Sequence, residues 1–280
     1  MNSAKTHQII DFKNIHVNYG MTTVLENINL TVNEGENWVV LGANGSGKST
    51  LMKLFSHDIY PNTQYEFKKE IFGKDRWDIF ELKKNLGIIT NDLQNKFLNY
   101  GPKTSGMEIV LSGLYSSLGI FQHHNFTDEQ ISKAGEVLKY LDIEKLSNKK
   151  LCEMSTGEQR RCIIGRSLIH SPRAFILDEP TTGLDIKAQK SFLNLLQKLS
   201  QNTSVILITH NIDEIFPQIT HAALMYNKTI YKQGKKEDIL TSQNLSEIFE
   251  TEINLKQSDG KYYIAHTKAV SYTHLTLRRI

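Results

Sequence analysis

At 280 residues the chain has room for about two compact units of roughly 100–200 residues each, so it is not a small stapled scaffold. With 39% hydrophobic and 22% charged residues it can fill a core, and 33 basic against 30 acidic residues leave too small an excess to imply nucleic acid. No window nears the roughly 18 consecutive apolar residues of a membrane span, Met1 to Gln8 lack an apolar signal region, and Cys152 and Cys162 make no disulfide framework, so a soluble cytoplasmic protein is expected.

Ile9 to Tyr19 and Val24 to Val32 carry apolar residues at strand spacing around a Gly20 turn, which predicts an opening antiparallel pair. Trp38 to Leu41 is short and wholly apolar, as a buried parallel strand must be, and feeds a glycine-rich loop. Ser49 to Ser56 reads as a helix, Leu86 to Thr90 as a strand, and Thr127 to Leu141 and Ser155 to His170 as helices, the last stopping before Pro172. Ala174 to Leu177 and Val205 to Thr209 are strands joined through a helix over Ile186 to Ser200, a right-handed parallel crossover. Asn227 to Thr267 adds small strands and a helix. There is no internal repeat and no sustained heptad pattern.

The loop after the first buried strand reads Gly42-Ala-Asn44-Gly45-Ser46-Gly47-Lys48-Ser49-Thr50 and fits G-x-x-x-x-G-K-[ST] between a strand and a helix. Glycines let the backbone turn tightly and aim successive N–H groups at phosphate oxygens, and the helix start adds its positive dipole end. Lys48 is placed to neutralise the outer phosphates and the Ser49 hydroxyl to ligate Mg²⁺. The strand Ala174 to Leu177 ends in Asp178-Glu179, and alternation along a strand sends the two carboxylates to different work: Asp178 to the Mg²⁺ shell, Glu179 to the attacking water as general base. His210 closes the strand from Val205 to Thr209 in the same way and is placed to contact the γ-phosphate.

Ser155 with Glu158 three residues on is a capping box at the head of a helix, complete without any function. Gly157 in that first turn costs the helix about 1 kcal/mol relative to alanine and permits close backbone approach to a phosphate.

Gly42 to Thr50, Ser155 to Arg161, Phe175 to Pro180, Thr182 to Asp185 and Thr209-His210, in that order and spacing, resemble the nucleotide-binding subunit of an ATP-binding cassette (ABC) transporter over about residues 8 to 235. The resemblance implies an α/β P-loop NTPase fold: a RecA-like parallel-sheet core with an antiparallel β subdomain (8–94 and 173–235), an inserted α-helical signature subdomain (95–172) and a C-terminal extension (236–269). It implies ATP and Mg²⁺ as ligands, and two chains that sandwich two ATP molecules head to tail. Ser155, Gly157 and Glu158 then belong to the signature segment that meets the γ-phosphate held by the opposite copy, Asp185 to the loop at that interface, and Tyr19 is the aromatic that stacks on adenine. Thr156 stands where the family usually has glycine, and Glu158 where it usually has glutamine. The glutamine expected after Leu86 to Thr90 is replaced by Asn91, with Gln94 three residues on; either could approach Mg²⁺ or the water, and Gln94 is favoured.

Val110 to Gly113, Ser117 to Gly119 and Glu214 to Pro217 are similar to a narrower branch of single cassettes related to molybdate-type import ATPases. The function implied is an ATP-hydrolysing subunit, peripheral on the cytoplasmic face of the membrane, that drives a separate integral-membrane permease, an importer. The alternative is a soluble single-cassette ATPase acting as a regulatory switch. Val270 to Leu277 resembles a translated sequencing adapter, so a chain ending at Ala269 is expected to keep full ATPase activity.

Overall fold

The computed structural model describes residues 7–269, and the segment 270–280 read as non-native lies outside the described residues. The first part of the chain forms β1 (Gln8–Tyr19), β2 (Thr22–Asn33), β3 (Trp38–Gly42), α1 (Lys48–Phe55), β4 (Lys68–Ile71), α2 (Ile79–Asn85) and β5 (Leu86–Ile89). Helices then dominate: α3 (Asn91–Tyr100), α4 (Gly106–Ser112), α5 (Asp128–Tyr140) and α6 (Thr156–Leu168). The remainder is β6 (Ala174–Asp178), α7 (Ile186–Leu199), β7 (Ser204–Thr209), β8 (His221–Tyr226), β9 (Thr229–Lys235), α8 (Lys236–Ile239), α9 (Ser242–Phe249), β10 (Thr251–Ser258) and β11 (Lys261–Ala269).

Six strands make the central sheet in the order β5-β6-β7-β3-β8-β9. All neighbours pair in parallel except β8 with β9, so the expected parallel core carries one antiparallel edge. A second sheet, β2-β1-β4, is antiparallel throughout, and β10-β11 form a separate hairpin.

β3 and β7 are buried at every position, which is why their central residues, Trp38 to Leu41 and Val205 to Ile208, read as apolar runs. Their side chains nonetheless alternate between two cores. Val39, Leu41, Val205 and Leu207 face the helical layer with Phe97, Ile109 and Ile163. Trp38, Val40, Ile206 and Ile208 face the antiparallel sheet and α1, with Phe12, Leu25 and Phe55.

Parallel pairing also sets the site. Leu41 lies opposite Thr209, and Asp178 opposite Ile208, so the carboxyl ends of β3, β6 and β7 finish side by side. The glycine loop, the Asp178-Glu179 pair and His210 follow those ends directly, at the edge of the sheet where open parallel sheets collect ligands.

Candidate functional site

The loop from β3 into α1 is shaped by what its glycines exclude. A Cβ on Gly42 would lie 2.5 Å from Ser46 Oγ and 2.7 Å from the Met225 carbonyl oxygen. Gly47 adopts a φ of 106°, and a Cβ there would lie 2.6 Å from Leu25 Cδ2. Gly47 is also the N-cap of α1 and gives it no side-chain cap, so the first N–H groups of the helix are left for a ligand. Ser46 Oγ is buried with no hydrogen-bond partner. Lys48 is buried and donates to the carbonyls of Gly42 at 2.8 Å and Ala43 at 3.1 Å. Burial pulls the Lys48 pKa down, against the opposing pull of Glu179 and Asp178. An uncapped helix start, an orphaned hydroxyl and a tethered ammonium around a backbone loop fit a polyphosphate.

A cleft of about 560 Å³ opens above the loop, lined among others by Lys48, Ser49, Asn91, Asp178, Glu179 and His210. Asp178 ends β6, half-buried; burial first, and then the Glu179 charge, push its carboxyl up to about 6, against Lys48. Glu179 takes the left-handed conformation, φ 49°, with its N–H bonded to the Ile208 carbonyl at 2.8 Å. Leaving the strand in this way aims its carboxylate at His210, whose Nδ1–H donates to Glu179 Oε1 at 2.7 Å.

Gln94 does not reach the cleft. It is buried in the interior, donating to Gln159 Oε1 at 2.7 Å and accepting from Arg160 Nε at 3.1 Å, and Asn91 lines the cleft instead. The placement favoured from sequence is therefore corrected: both residues lie on α3, but helical spacing turns Gln94 inward, toward α6. Tyr19, 45% exposed, is not among the residues that line the cleft but pairs with Thr22, which is; the Lys53 ammonium is 5.7 Å from its ring centroid.

Ser155, Gly157, Glu158 and Asp185 are not among the residues that line the cleft. Ser155 caps α6, its Oγ accepting from Glu158 N at 3.3 Å, while Glu158 Oε2 accepts from Ser155 N at 3.0 Å and Lys149 Nζ at 2.9 Å. Gly157 presents an open face, with Ala188 Cβ at 3.6 Å as the nearest atom a Cβ would meet. Asp185 caps α7 through Ala188 N at 2.7 Å. These residues form a second surface, separate from the glycine loop of the same chain.

Two residues that fall within motifs carrying the resemblance were given no role of their own from sequence. Glu214 is buried and accepts from Thr181 N at 3.0 Å and from the Thr181 hydroxyl, which anchors the turn after Glu179. Burial raises its pKa above the ordinary carboxylate range. Arg160 is buried between α3, α6 and the Pro180 to Thr182 turn. Its sequence signal was its place in the Ser155 to Arg161 motif, in the first turns of α6.

The chain matches the ABC transporter family over residues 25–182. It is 30% identical over 260 residues to an uncharacterised ABC transporter ATP-binding protein of Lactococcus lactis, covering 91% of this chain and 98% of the relative. It is 31% identical over 234 residues to a zinc uptake system ATP-binding protein of Listeria monocytogenes, covering 82% of this chain and 87% of the relative. Among solved structures, the dimeric bacterial ABC transporter cassette MJ0796 superposes with a TM-score of 0.65 at 26% identity, over 81% of this chain and 98% of that one.

Proposed function

The chain belongs to the ABC transporter family as an ATP-binding subunit, and on that premise we propose that it hydrolyses ATP and couples hydrolysis to a separate membrane permease that imports its cargo. The observation that carries this reading is the Glu179–His210 pair, 2.7 Å apart and facing the glycine loop across one cleft. Glu179 takes the proton of the attacking water; His210 holds the Glu179 carboxylate and faces the terminal phosphate. Lys48, leaving the Gly42 and Ala43 carbonyls, follows the charge that builds on the transferred group. Tyr19, paired with the cleft-lining Thr22, stacks on the base. Ser49 and Asp178 are hard oxygen donors that would hold Mg²⁺, which when bound offsets the negative charge of the phosphates.

A second copy supplies Ser155, Gly157, Glu158 and Asp185 to each nucleotide, a reading supported by their position away from this chain's own cleft and by the dimeric cassette MJ0796. The ATP-binding core is placed at 8–94 and 173–235, the signature subdomain at 95–172 and a C-terminal extension at 236–269. No helix among the described residues is long and apolar enough to cross a membrane. On this proposal the subunit works at the cytoplasmic face, against its permease. Import is supported by the zinc uptake relative, which also extends the likeness beyond the molybdate-type branch.

Glu179→Gln should keep ATP binding and lose about 10²–10⁴-fold in turnover. Tagged Glu179→Gln protein, held with ATP and recovered from membranes of its native host, should bring down a stoichiometric integral-membrane partner. A soluble dimer with no such partner would refute the transporter reading in favour of a regulatory ATPase.

A further inference from the structure

Arg160 engages four acceptors from two distant stretches of chain with one guanidinium, itself only 4% exposed. Its Nε donates to Gln94 Oε1 at 3.1 Å and its Nη1 to the Pro180 carbonyl. Its Nη2 donates to Asn91 Oδ1 at 2.5 Å and to the Thr182 carbonyl at 2.9 Å. A guanidinium has donors and no acceptor, so any amide that meets it must turn its oxygen inward. That settles the orientation of two amides. Gln94 sends its –NH₂ to Gln159 Oε1 at 2.7 Å, into the interior. Asn91, whose oxygen is held by Arg160, is left with its –NH₂ for the cleft that it lines beside Asp178 and Glu179.

The same guanidinium grips the backbone on both sides of Thr181, immediately after Glu179. On the ATPase reading above, we propose that Arg160 is a positioning residue for hydrolysis: it holds Asn91 as a hydrogen-bond donor rather than a metal ligand, and clamps that donor to the turn carrying Glu179. The donor suits an acceptor oxygen, that of the terminal phosphate or of the attacking water. Because Arg160 rides on α6, whose first turn carries Ser155 and Gly157, a shift of that helix moves the donor and the general base together.

The test is a double-mutant cycle on ATP turnover with Asn91→Ala and Arg160→Lys, the lysine keeping the charge but losing the planar fork. Each change alone should lower kcat about 10–100-fold with KM for ATP little altered, and the pair should lose no more than Arg160→Lys alone. Losses that multiply, or wild-type turnover in either single variant, would overturn the clamp. Fluorescence of mant-ATP, titrated with Mg²⁺ without turnover, reads the second half of the proposal. Asn91→Ala should half-saturate at the wild-type Mg²⁺ concentration; a clear rise would make Asn91 a metal ligand and overturn it. Thermal melting checks the fold of Arg160→Lys. If that variant does not fold, Asn91→Asp replaces it, since it keeps an oxygen for Arg160 and exchanges the donor for a second, charged acceptor. Asn91→Asp should lose at least as much turnover as Asn91→Ala, and full turnover would sink the donor role. Absence of turnover in the wild type would instead strike the ATPase reading on which this rests.

Discussion

Removing the charge of Asp178 should stabilise the nucleotide-free protein in alkaline buffer while abolishing its use. Burial and the neighbouring Glu179 charge, opposed by Lys48, push this carboxyl up to about 6 from the ordinary aspartate value of 3.8. A group that binds its proton more tightly in the folded chain than in the unfolded one contributes stability that is full below the unfolded pKa and is lost as pH rises through the folded one. Between about pH 5 and about pH 8 the loss works out to about 1.4 kcal/mol. Urea unfolding of nucleotide-free, Mg²⁺-free protein at those two pH values, wild type against Asp178→Asn, measures it. The wild type should lose about 1.4 kcal/mol more than the variant on going to the higher pH. Mg²⁺ with ATP should then raise the wild-type Tm at the higher pH far more than that of Asp178→Asn, because ligand binding to the folded state alone offsets the stranded charge. Identical pH dependence in the two proteins would refute the reasoning, since Asp178 would then feel no more than a solvated carboxylate does. The opposite sign would mean that pairing with Lys48 outweighs burial.

Tyr19→Ala should raise KM for ATP about 2–10-fold with little change in kcat, the scale of one lost aromatic stack; an unchanged KM in steady-state turnover would remove Tyr19 from the adenine site. Gln94→Ala should lower unfolding free energy by about 1–3 kcal/mol by stranding Gln159 and Arg160, yet cost less turnover than Asn91→Ala. A larger turnover loss in Gln94→Ala than in Asn91→Ala would return the role to Gln94. Gly113→Ala is sterically costly without backbone strain: φ is −57°, but the new Cβ would lie 2.1 Å from the Arg166 carbonyl oxygen and 2.9 Å from Ile169 Cγ2. Forcing that segment away from α6 should cost about 1–3 kcal/mol, read as a lower Tm, and an unaltered Tm would contradict the close approach.

What was legible from residues alone is what local chemistry dictates. Trp38 to Leu41, Ala174 to Leu177 and Val205 to Thr209 announced themselves because strands covered on both faces are filled almost entirely by apolar residues, and all three are strands of the central sheet. The Ser155–Glu158 capping box was readable from spacing and is formed. The same spacing at Ser105 and Glu108 forms a second capping box, at the head of the 7-residue α4. β4, at 4 residues reading Lys-Lys-Glu-Ile, has almost no apolar pattern and exists because β1 offers it an edge. The choice between Asn91 and Gln94 was beyond sequence for a different reason. It depends on the packing of α3 against α6, remote in the chain, which buries Gln94 between Gln159 and Arg160 and leaves Asn91 lining the cleft.

The alternation of β3 and β7 between two cores bears on how the protein comes apart. Each of these strands holds side chains in both apolar clusters, so neither layer can open while the strand stays in register with the other. The amide protons of β3 and β7 should therefore trade with deuterium only when the whole molecule unfolds, at the slowest rates in the chain. The hairpin of β10 and β11 belongs to neither strand ladder of the central sheet, and its protons can exchange through a local opening that leaves the cleft intact. Slow and fast exchange then divide along the chain's architecture, with the glycine loop hung from the slowest part.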